Sequence, residues 1–267
     1  MAWVFSNGIA TMYEMTRVHL HCIGIGGIGI SALARLYHSY GWKVSGSDLA
    51  RSEITDALKK EGIRVFIGPH RKSNILPSVT KVIYTAAAQA SNPEIRAAKS
   101  RRLPTLSYAQ AIGELTNKFK TIAVAGAHGK STTTAMIALV IMRAGLDPTV
   151  IIGTKLREFS PPAGGSNFRL GKSLYFVLEA DEYRASFLNY TPSIAVVTNI
   201  DREHLDFYKN ASNIEATFLK FLLGLKSGGT AVLNRDDHRL QRIGAKLKKK
   251  RPDLGIMWYS LRNPAAR

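Results

Sequence analysis

A doubly wound α/β protein built as two successive units is what this sequence predicts, and three observations predict it. Apolar, strand-like runs alternate with helical patterns along the chain. The first apolar run ends in a glycine-rich turn, Gly24-Ile25-Gly26-Gly27-Ile28-Gly29. A later run ends in a second small-residue loop, Gly126-Ala127-His128-Gly129, followed by Lys130-Ser131. Alternation of this kind builds parallel sheets with helices on their faces. Glycine loops between a strand and a helix aim backbone N–H groups at anions.

In the first unit, Val18–Ile23 is a strand running into the turn. The helix after it carries Ile30, Leu33, Ala34 and Tyr37 at helical spacing. Lys43–Asp48 is the next strand and ends in an acid. A helix near Ser52–Glu61, a strand at Arg64–Ile67 and the apolar run Val79–Ala86 continue the alternation. The boundary falls near Ile112–Lys120, after Leu103-Pro104. The second unit opens with the strand Thr121–Ala125, the loop Gly126–Gly129 and a long apolar helix from Lys130 to about Arg143. Ser160-Pro161-Pro162-Ala163-Gly164-Gly165-Ser166 is loop chemistry. Strands are expected at Leu174–Leu178, Ile194–Thr198 and Thr230–Leu233, and a helix at about Asn213–Leu223. Met257-Trp258-Tyr259 reads as a late strand. The expected organisation is an extension over 1–17, a Rossmann-like domain over 18–112 and a P-loop-type domain over 113–267.

Composition narrows the function classes. With 45% hydrophobic residues in a chain of 267, general disorder is excluded. The single Cys22 excludes an internal disulfide framework and a cysteine-based zinc cluster. No apolar run approaches the ~18 residues of a spanning helix, so no membrane insertion is expected. Met1–Arg17 lacks the pattern of a secretory signal, and the expected setting is cytoplasmic. Net charge is +18, which fits either a nucleic-acid binder or a protein handling small polyanions. From His238 to Arg267, nine Lys and Arg stand against Asp253 alone. No aromatic residue interleaves the Lys run to stack on bases, so a solvated helix face is expected there, and no nucleic-acid partner.

Four motifs carry chemistry. In Gly126–Thr133 the loop amides and helix N-terminus would hold phosphate, Lys130 would reach the β/γ-phosphates and Ser131 would ligate Mg²⁺. Gly126, Ala127, His128, Gly129, Lys130, Ser131 and Thr132 are therefore the candidate ATP residues. Val124 stands where a strict P-loop has glycine. Glu179, first after the apolar run Leu174–Leu178, is a better magnesium candidate than Asp181; capping of the next helix is the competing role for this acidic cluster. His204, in the polar burst after Ile194–Thr198, is a candidate for a second Mg²⁺ or for a structural role. The glycine turn with Asp48 nineteen residues beyond Gly29 is a dinucleotide-type fingerprint, implying a nucleotide diphosphate. His19 and His21 alternate on the first strand with no assigned role.

Taken together these stretches resemble the Mur ligase family of peptidoglycan synthesis. The resemblance lies in Gly24–Ser31, Val44–Asp48, Asn92-Pro93-Glu94, Ala125–Thr134, Glu179-Ala180-Asp181-Glu182, Ser186-Phe187-Leu188, Val197–Asp201 with His204, and Leu233–Asp237. It implies that ATP activates the carboxylate of UDP-N-acetylmuramate as an acyl phosphate, which an amine then attacks. His128 favours the members that add L-alanine, or those that recycle a murein tripeptide, over the later ligases. The implied UDP-substrate residues are Gly24, Gly26, Gly27, Ile28, Gly29, Asp48 and Thr85. The implied catalytic residues are Lys130, Glu179 and His204, with Ser131, Glu179 and His204 holding metal. The chain departs from the family at Ala127, usually threonine, and at Tyr183-Arg184 after the acids. Family members also carry a third domain for the amino acid. The chain stops at Arg267 without one, which predicts a truncated form that ligates poorly or not at all by itself. A non-catalytic UDP-sugar-binding remnant is the competing reading.

Overall fold

Two sheets organise the chain, each centred on the strand that precedes a glycine loop. The computed structural model describes residues 18–159, 165–201 and 205–262. The expected extension 1–17, most of the 160–166 loop and His204 lie outside the described residues. The strands are β1 His19–Ile23, β2 Lys43–Asp48, β3 Arg64–Ile67, β4 Lys81–Tyr84, β5 Thr105–Ser107, β6 Lys120–Ala125, β7 Thr149–Leu156, β8 Ser166–Arg169, β9 Tyr175–Glu179, β10 Ile194–Val197, β11 Thr230–Asn234 and β12 Gly255–Tyr259. The helices are α1 Ile28–Ser39, α2 Glu53–Lys60, α3 Pro93–Ser100, α4 Tyr108–Lys118, α5 Lys130–Arg143, α6 Leu205–Tyr208, α7 Ala211–Leu223 and α8 His238–Lys250.

The described residues form two units. One comprises the chain up to Ala111 together with Gly153–Lys172; the other comprises Ile112–Ile152 and the chain from Ser173. The five-stranded sheet has the order β3-β2-β1-β4-β5, with every neighbouring pair parallel. The seven-stranded sheet has the order β12-β11-β10-β6-β9-β7-β8. Both central strands are flanked on each side by strands from elsewhere in the sequence. The loops leaving β1 and β6 thus open at the crevices where doubly wound sheets bind ligands.

Local chemistry explains the elements. All five residues of β1 are buried, because helices cover both faces of a central parallel strand. Burial holds the Cys22 thiol up at about 12, so it is an inert apolar side chain. Helix α1 buries Ile30, Leu33, Ala34 and Tyr37 as its periodicity predicts. Helix α2 starts with a reciprocal capping box between Ser52 and Thr55. Helix α3 starts on Asn92 with Pro93 in its first turn. In the second unit Ile122, Val124 and Val196 pack with Ile137, Ile141, Ile194 and Val232. Phe187 stacks on Phe221 at 4.6 Å and meets Phe218 edge-on at 5.2 Å. The basic C-terminal stretch is largely α8, which buries Leu240, Ile243, Gly244 and Leu247 and ends in Lys248, Lys249 and Lys250. Those lysines are exposed, as a solvated face requires. Among the described residues no helix is long and apolar enough to cross a membrane.

Candidate functional site

Each unit presents a glycine-containing loop at its sheet's carboxyl edge. In the first unit the turn after β1 is held from below by β2. Gly24 and Ile25 donate to the Ser47 carbonyl at 2.8 and 3.0 Å. Gly24 has φ +77, and a Cβ there would fall inside Thr85, so only glycine fits. Gly27 caps α1 with no side-chain partner, leaving the first amides of the helix toward the cavity. The cavity measures about 390 Å³ and is lined by Gly24, Gly26, Gly27, Asp48, Thr85 and His70 among others. Two fingerprint residues have structural work as well. Asp48 Oδ2 accepts from the Gly26 amide at 2.8 Å and Oδ1 from Ala50, so this carboxylate braces the turn. Gly29 faces Tyr108, whose ring a Cβ would meet at 2.9 Å, so its smallness serves packing. Ile28 is 40% exposed at the mouth of the helix.

Beneath this cavity lies a polar network that the sequence reading left without a role. Glu94, with no exposed surface, accepts from His21 Nε2 at 3.2 Å, Ser47 Oγ at 2.6 Å, His70 Nδ1 at 3.1 Å and Asn74 Nδ2 at 2.6 Å. Burial pushes its carboxyl pKa up, but the donors from His21, Ser47 and Asn74 outweigh burial and hold it at about 2. In the sequence the Asn92-Pro93-Glu94 run carried only part of the family resemblance. Nothing in it pointed to four donors from three distant segments.

In the second unit the loop after β6 hangs on the segment after β10. Asn199 grips it twice: Oδ1 accepts from the His128 amide at 2.9 Å and Nδ2 donates to the His128 carbonyl at 3.0 Å. The Ala127 amide donates to the Asn199 carbonyl at 3.1 Å, and Thr198 Oγ1 donates to the His128 carbonyl at 2.7 Å. The amides of Ala127 and His128, expected to face phosphate, are thus bonded to Asn199. The amides free to meet an anion would be those of the first turn of α5, from Gly129 to Thr132, which has no side-chain cap. Gly126 has φ +139, and a Cβ there would collide with Thr198 Oγ1. Gly126→Ala is therefore expected to destabilise the unit by about 1–3 kcal/mol and to displace the loop. A lowered urea midpoint together with weakened nucleotide binding would check it.

Lys130 opens α5. Its Nζ donates to the Gly126 carbonyl at 2.7 Å and the Ala127 carbonyl at 3.0 Å, and pairs with Glu182 at 3.0–3.1 Å. Glu182 is 3% exposed; burial raises its pKa while the Lys130 charge lowers it, and the net direction is upward. Tyr208 OH donates to the Glu182 carbonyl. Ser131 Oγ donates to Glu179 Oε1 at 3.0 Å, which brings the two expected metal ligands together. Asp181 accepts from the Tyr183 amide at 3.0 Å, the local capping role, so Glu179 and not Asp181 faces the loop helix. His128 Nε2 lies 3.3 Å from Asp201 on an exposed edge. His204 lies outside the described residues. Among those described, no group of three His, Cys, Asp or Glu could hold a metal ion. The Glu182 partnership was missed. The signal available was its place in the same acidic run, three residues beyond Glu179.

Residues 19–120 match the profile of the Mur ligase family, catalytic domain, and residues 124–267 that of the Mur ligase middle domain. The UDP-N-acetylmuramate–L-alanine ligase of Aquifex aeolicus is 42% identical over 245 residues, covering 92% of this chain and 51% of that protein. The enzyme of the same name from Syntrophus aciditrophicus is 44% identical, over 89% of this chain and 48% of its own. The chain thus spans about half the length of these curated relatives. Among solved structures, the UDP-N-acetylmuramate–alanine ligase of Thermotoga maritima superposes with a TM-score of 0.77 at 29% identity, over 92% of this chain and 53% of that one. The UDP-N-acetylmuramate:L-alanyl-γ-D-glutamyl-meso-diaminopimelate ligase of Neisseria meningitides gives 0.79 at 27% identity, over 91% and 78%.

Proposed function

The chain belongs to the Mur ligase family, and on that premise we propose that it forms the UDP-substrate and ATP halves of a UDP-N-acetylmuramate–L-alanine ligase. The observation that carries this reading is the pairing on one chain of two phosphate devices of different design. One is a glycine turn over a cavity of nucleotide size; the other is a loop helix with a lysine and an acid–hydroxyl pair. The first domain, 18–112, would take the diphosphate of UDP-N-acetylmuramate on Gly24, Gly26, Gly27, Ile28 and Gly29, with Asp48 and Thr85 at the cavity wall. The second, 113–267, would take ATP on Gly126–Thr132.

In the proposed reaction the muramate carboxylate attacks the γ-phosphorus of ATP and ADP leaves. The amine of L-alanine attacks the acyl carbon, phosphate departs and an amide forms. Lys130 neutralises charge on the transferring phosphoryl group, and the amides of Gly129–Thr132 orient the phosphate chain. The Ser131–Glu179 pair is all oxygen, the donor chemistry Mg²⁺ prefers, so these residues fit that ion and would hold it, with His204 proposed for a second. The ion would supply charge neutralisation on ATP phosphates. Substrates of this kind accord with a cytoplasmic setting.

The amine is read as L-alanine because relatives of that name reach 42–44% identity. Structural similarity does not favour it over the tripeptide, since the Neisseria structure is as close. Calorimetric titration of the purified chain should give saturable binding of UDP-N-acetylmuramate and of MgATP. Failure to bind the first sinks the reading. With the remaining half of an alanine-adding relative supplied, ADP release should depend on L-alanine and not on the tripeptide. Ser131→Ala and Glu179→Gln are each expected to cost the Mg²⁺-dependent part of ATP affinity about tenfold or more. Titrations with and without Mg²⁺ would read this, and Mg²⁺-free binding should be unchanged.

A further inference from the structure

One wall of the first unit's cavity is not explained by the glycine turn or by Asp48. His70, on the loop after β3, lines it with a side chain 16% exposed and turns Nδ1 inward to the fully buried Glu94. Glu94 is ionised, since its donors hold it near 2. An ionised carboxylate only accepts, and Ser47 Oγ, 3.2 Å from the same nitrogen, spends its proton on Glu94 at 2.6 Å, so Nδ1 of His70 carries the proton. In the neutral ring the lone pair is then on Nε2, and the ring is part of the cavity wall.

The rest of the network admits the same single ordering. His21 Nε2 donates to Glu94 at 3.2 Å, so His21 Nδ1 accepts from Ser45 Oγ at 3.0 Å. Ser45 Oγ in turn accepts from His19 Nε2 at 2.9 Å, and His19 Nδ1 accepts from Ser78 Oγ at 2.9 Å. Burial, with the nearby Lys43 charge, lowers the pKa of His19 to about 4, which keeps that ring neutral. Every donor has an acceptor, and no ring can turn over without orphaning a buried group.

The sheet order adds a location. Beyond β1, which carries the phosphate turn, come β2 with Asp48 at its end and then β3, from which the His70 loop leaves. A nucleotide with its diphosphate on the turn and its ribose by Asp48 puts its base beside Leu49, Ala50 and His70, all of which line the cavity. We propose that His70 reads the base, its Nε2 lone pair accepting from the N3–H of uracil. Cytosine carries a bare acceptor at N3, so the same ring would set two lone pairs against each other. This rests on the nucleoside-diphosphate reading of the cavity and names the group that makes it selective for uridine. Glu94 is the positioning residue that fixes the tautomer.

The charged and titratable groups around the ring are Glu94 from α3, His21 behind it on β1, Asp48 at the end of β2 and the neighbouring Arg71. The test is calorimetric titration of the purified chain with UDP and with CDP. Wild type, His70→Ala and Glu94→Gln are compared, with thermal unfolding confirming that each is folded. Wild type should prefer UDP by about tenfold or more. The preference should vanish in His70→Ala and shrink in Glu94→Gln, whose amide lets the ring adopt the other tautomer.

A preference unchanged in His70→Ala overturns the proposal. Equal wild-type affinity for UDP and CDP removes the base contact and leaves the nucleotide reading of the cavity standing. Binding of neither nucleotide refutes both.

Discussion

Lys130→Ala is expected to weaken ATP and ADP binding by about 2–3 kcal/mol, on the order of a hundredfold, and to destabilise the second unit as well. Both effects follow from one side chain with two duties. Without nucleotide, Lys130 is the cation for the buried Glu182 and a donor to the Gly126 and Ala127 carbonyls. In the proposed nucleotide complex it would be the group that reaches the phosphates. Removing it leaves a buried carboxylate without its cation, a change that costs about 3–5 kcal/mol when the charge cannot be relieved. Relief comes by protonation. Burial already raises the Glu182 pKa and Lys130 opposes that rise, so the variant's carboxyl lies higher still. A raised folded-state pKa favours folding at low pH and penalises it as pH climbs above the unfolded value of 4.5. The variant's stability deficit should therefore be small in acid and grow toward neutrality. Lys130→Ala with Glu182→Gln should recover stability but not binding. Urea midpoints across pH and ADP calorimetry read the two duties separately, and unchanged ADP affinity in Lys130→Ala would end the phosphate-loop assignment.

Glu94→Ala carries the largest expected stability loss in the first unit. Four donors converge on this carboxylate from β1, β2 and the segment after β3. Its removal strands them, at about 3–5 kcal/mol, or a fall in Tm of about 10–20 °C. The pH dependence has the opposite sign from Glu182. A carboxyl held at about 2 against 4.5 unfolded stabilises the fold at every pH above 4.5, and that contribution fades as pH falls from 4.5 to 2. The amount lost in wild type over that window is about 3 kcal/mol. The alanine variant should lack this acid limb. If its denaturation midpoint falls as steeply between pH 4.5 and 2 as that of the wild type, the acid limb does not come from Glu94.

The parts of the fold that were legible in the sequence are those where local pattern and global position agree. Lys130–Arg143 was expected as a helix and is one to the residue, because a left-handed glycine starts it and Gly145 follows its end. The strands β1, β6, β9 and β10 announced themselves as short apolar runs because they are covered on both faces. Strands β7 and β8 did not. Half of β7 is exposed, with Gly153, Thr154 and Lys155 in its outer part, so neither alternation nor an apolar run marks it. The sites were legible as loops and less so as contacts. Spacing marked Lys130, Ser131 and Glu179, but their partners are set by strand order: β9 lies beside β6, and this is what brings Glu179 and Glu182 to α5. The Asp48 spacing was read as ligand chemistry, whereas one of its oxygens serves the Gly26 amide. His19 and His21 looked idle because Ser45, Ser78 and Glu94, which occupy them, are far away in sequence.

The clasp on the loop after β6 bears on the order in which this protein can mature. Gly126 and Lys130 leave the ribosome early, yet the Thr198-Asn199 pair that shapes the loop is made much later. Thr198 is itself held from still further on: its carbonyl accepts from Asn234 Nδ2 at 3.0 Å and from Tyr259 OH at 3.3 Å. The next amide, Ile200, donates to Asp237 Oδ2 at 2.8 Å, whose other oxygen caps α8. During synthesis the first unit's β1–β5 sheet is encoded by the time Ser107 emerges, whereas the loop after β6 waits for β12. A nascent chain released before Tyr259 would carry the phosphate-loop residues without the contacts that give the loop its shape.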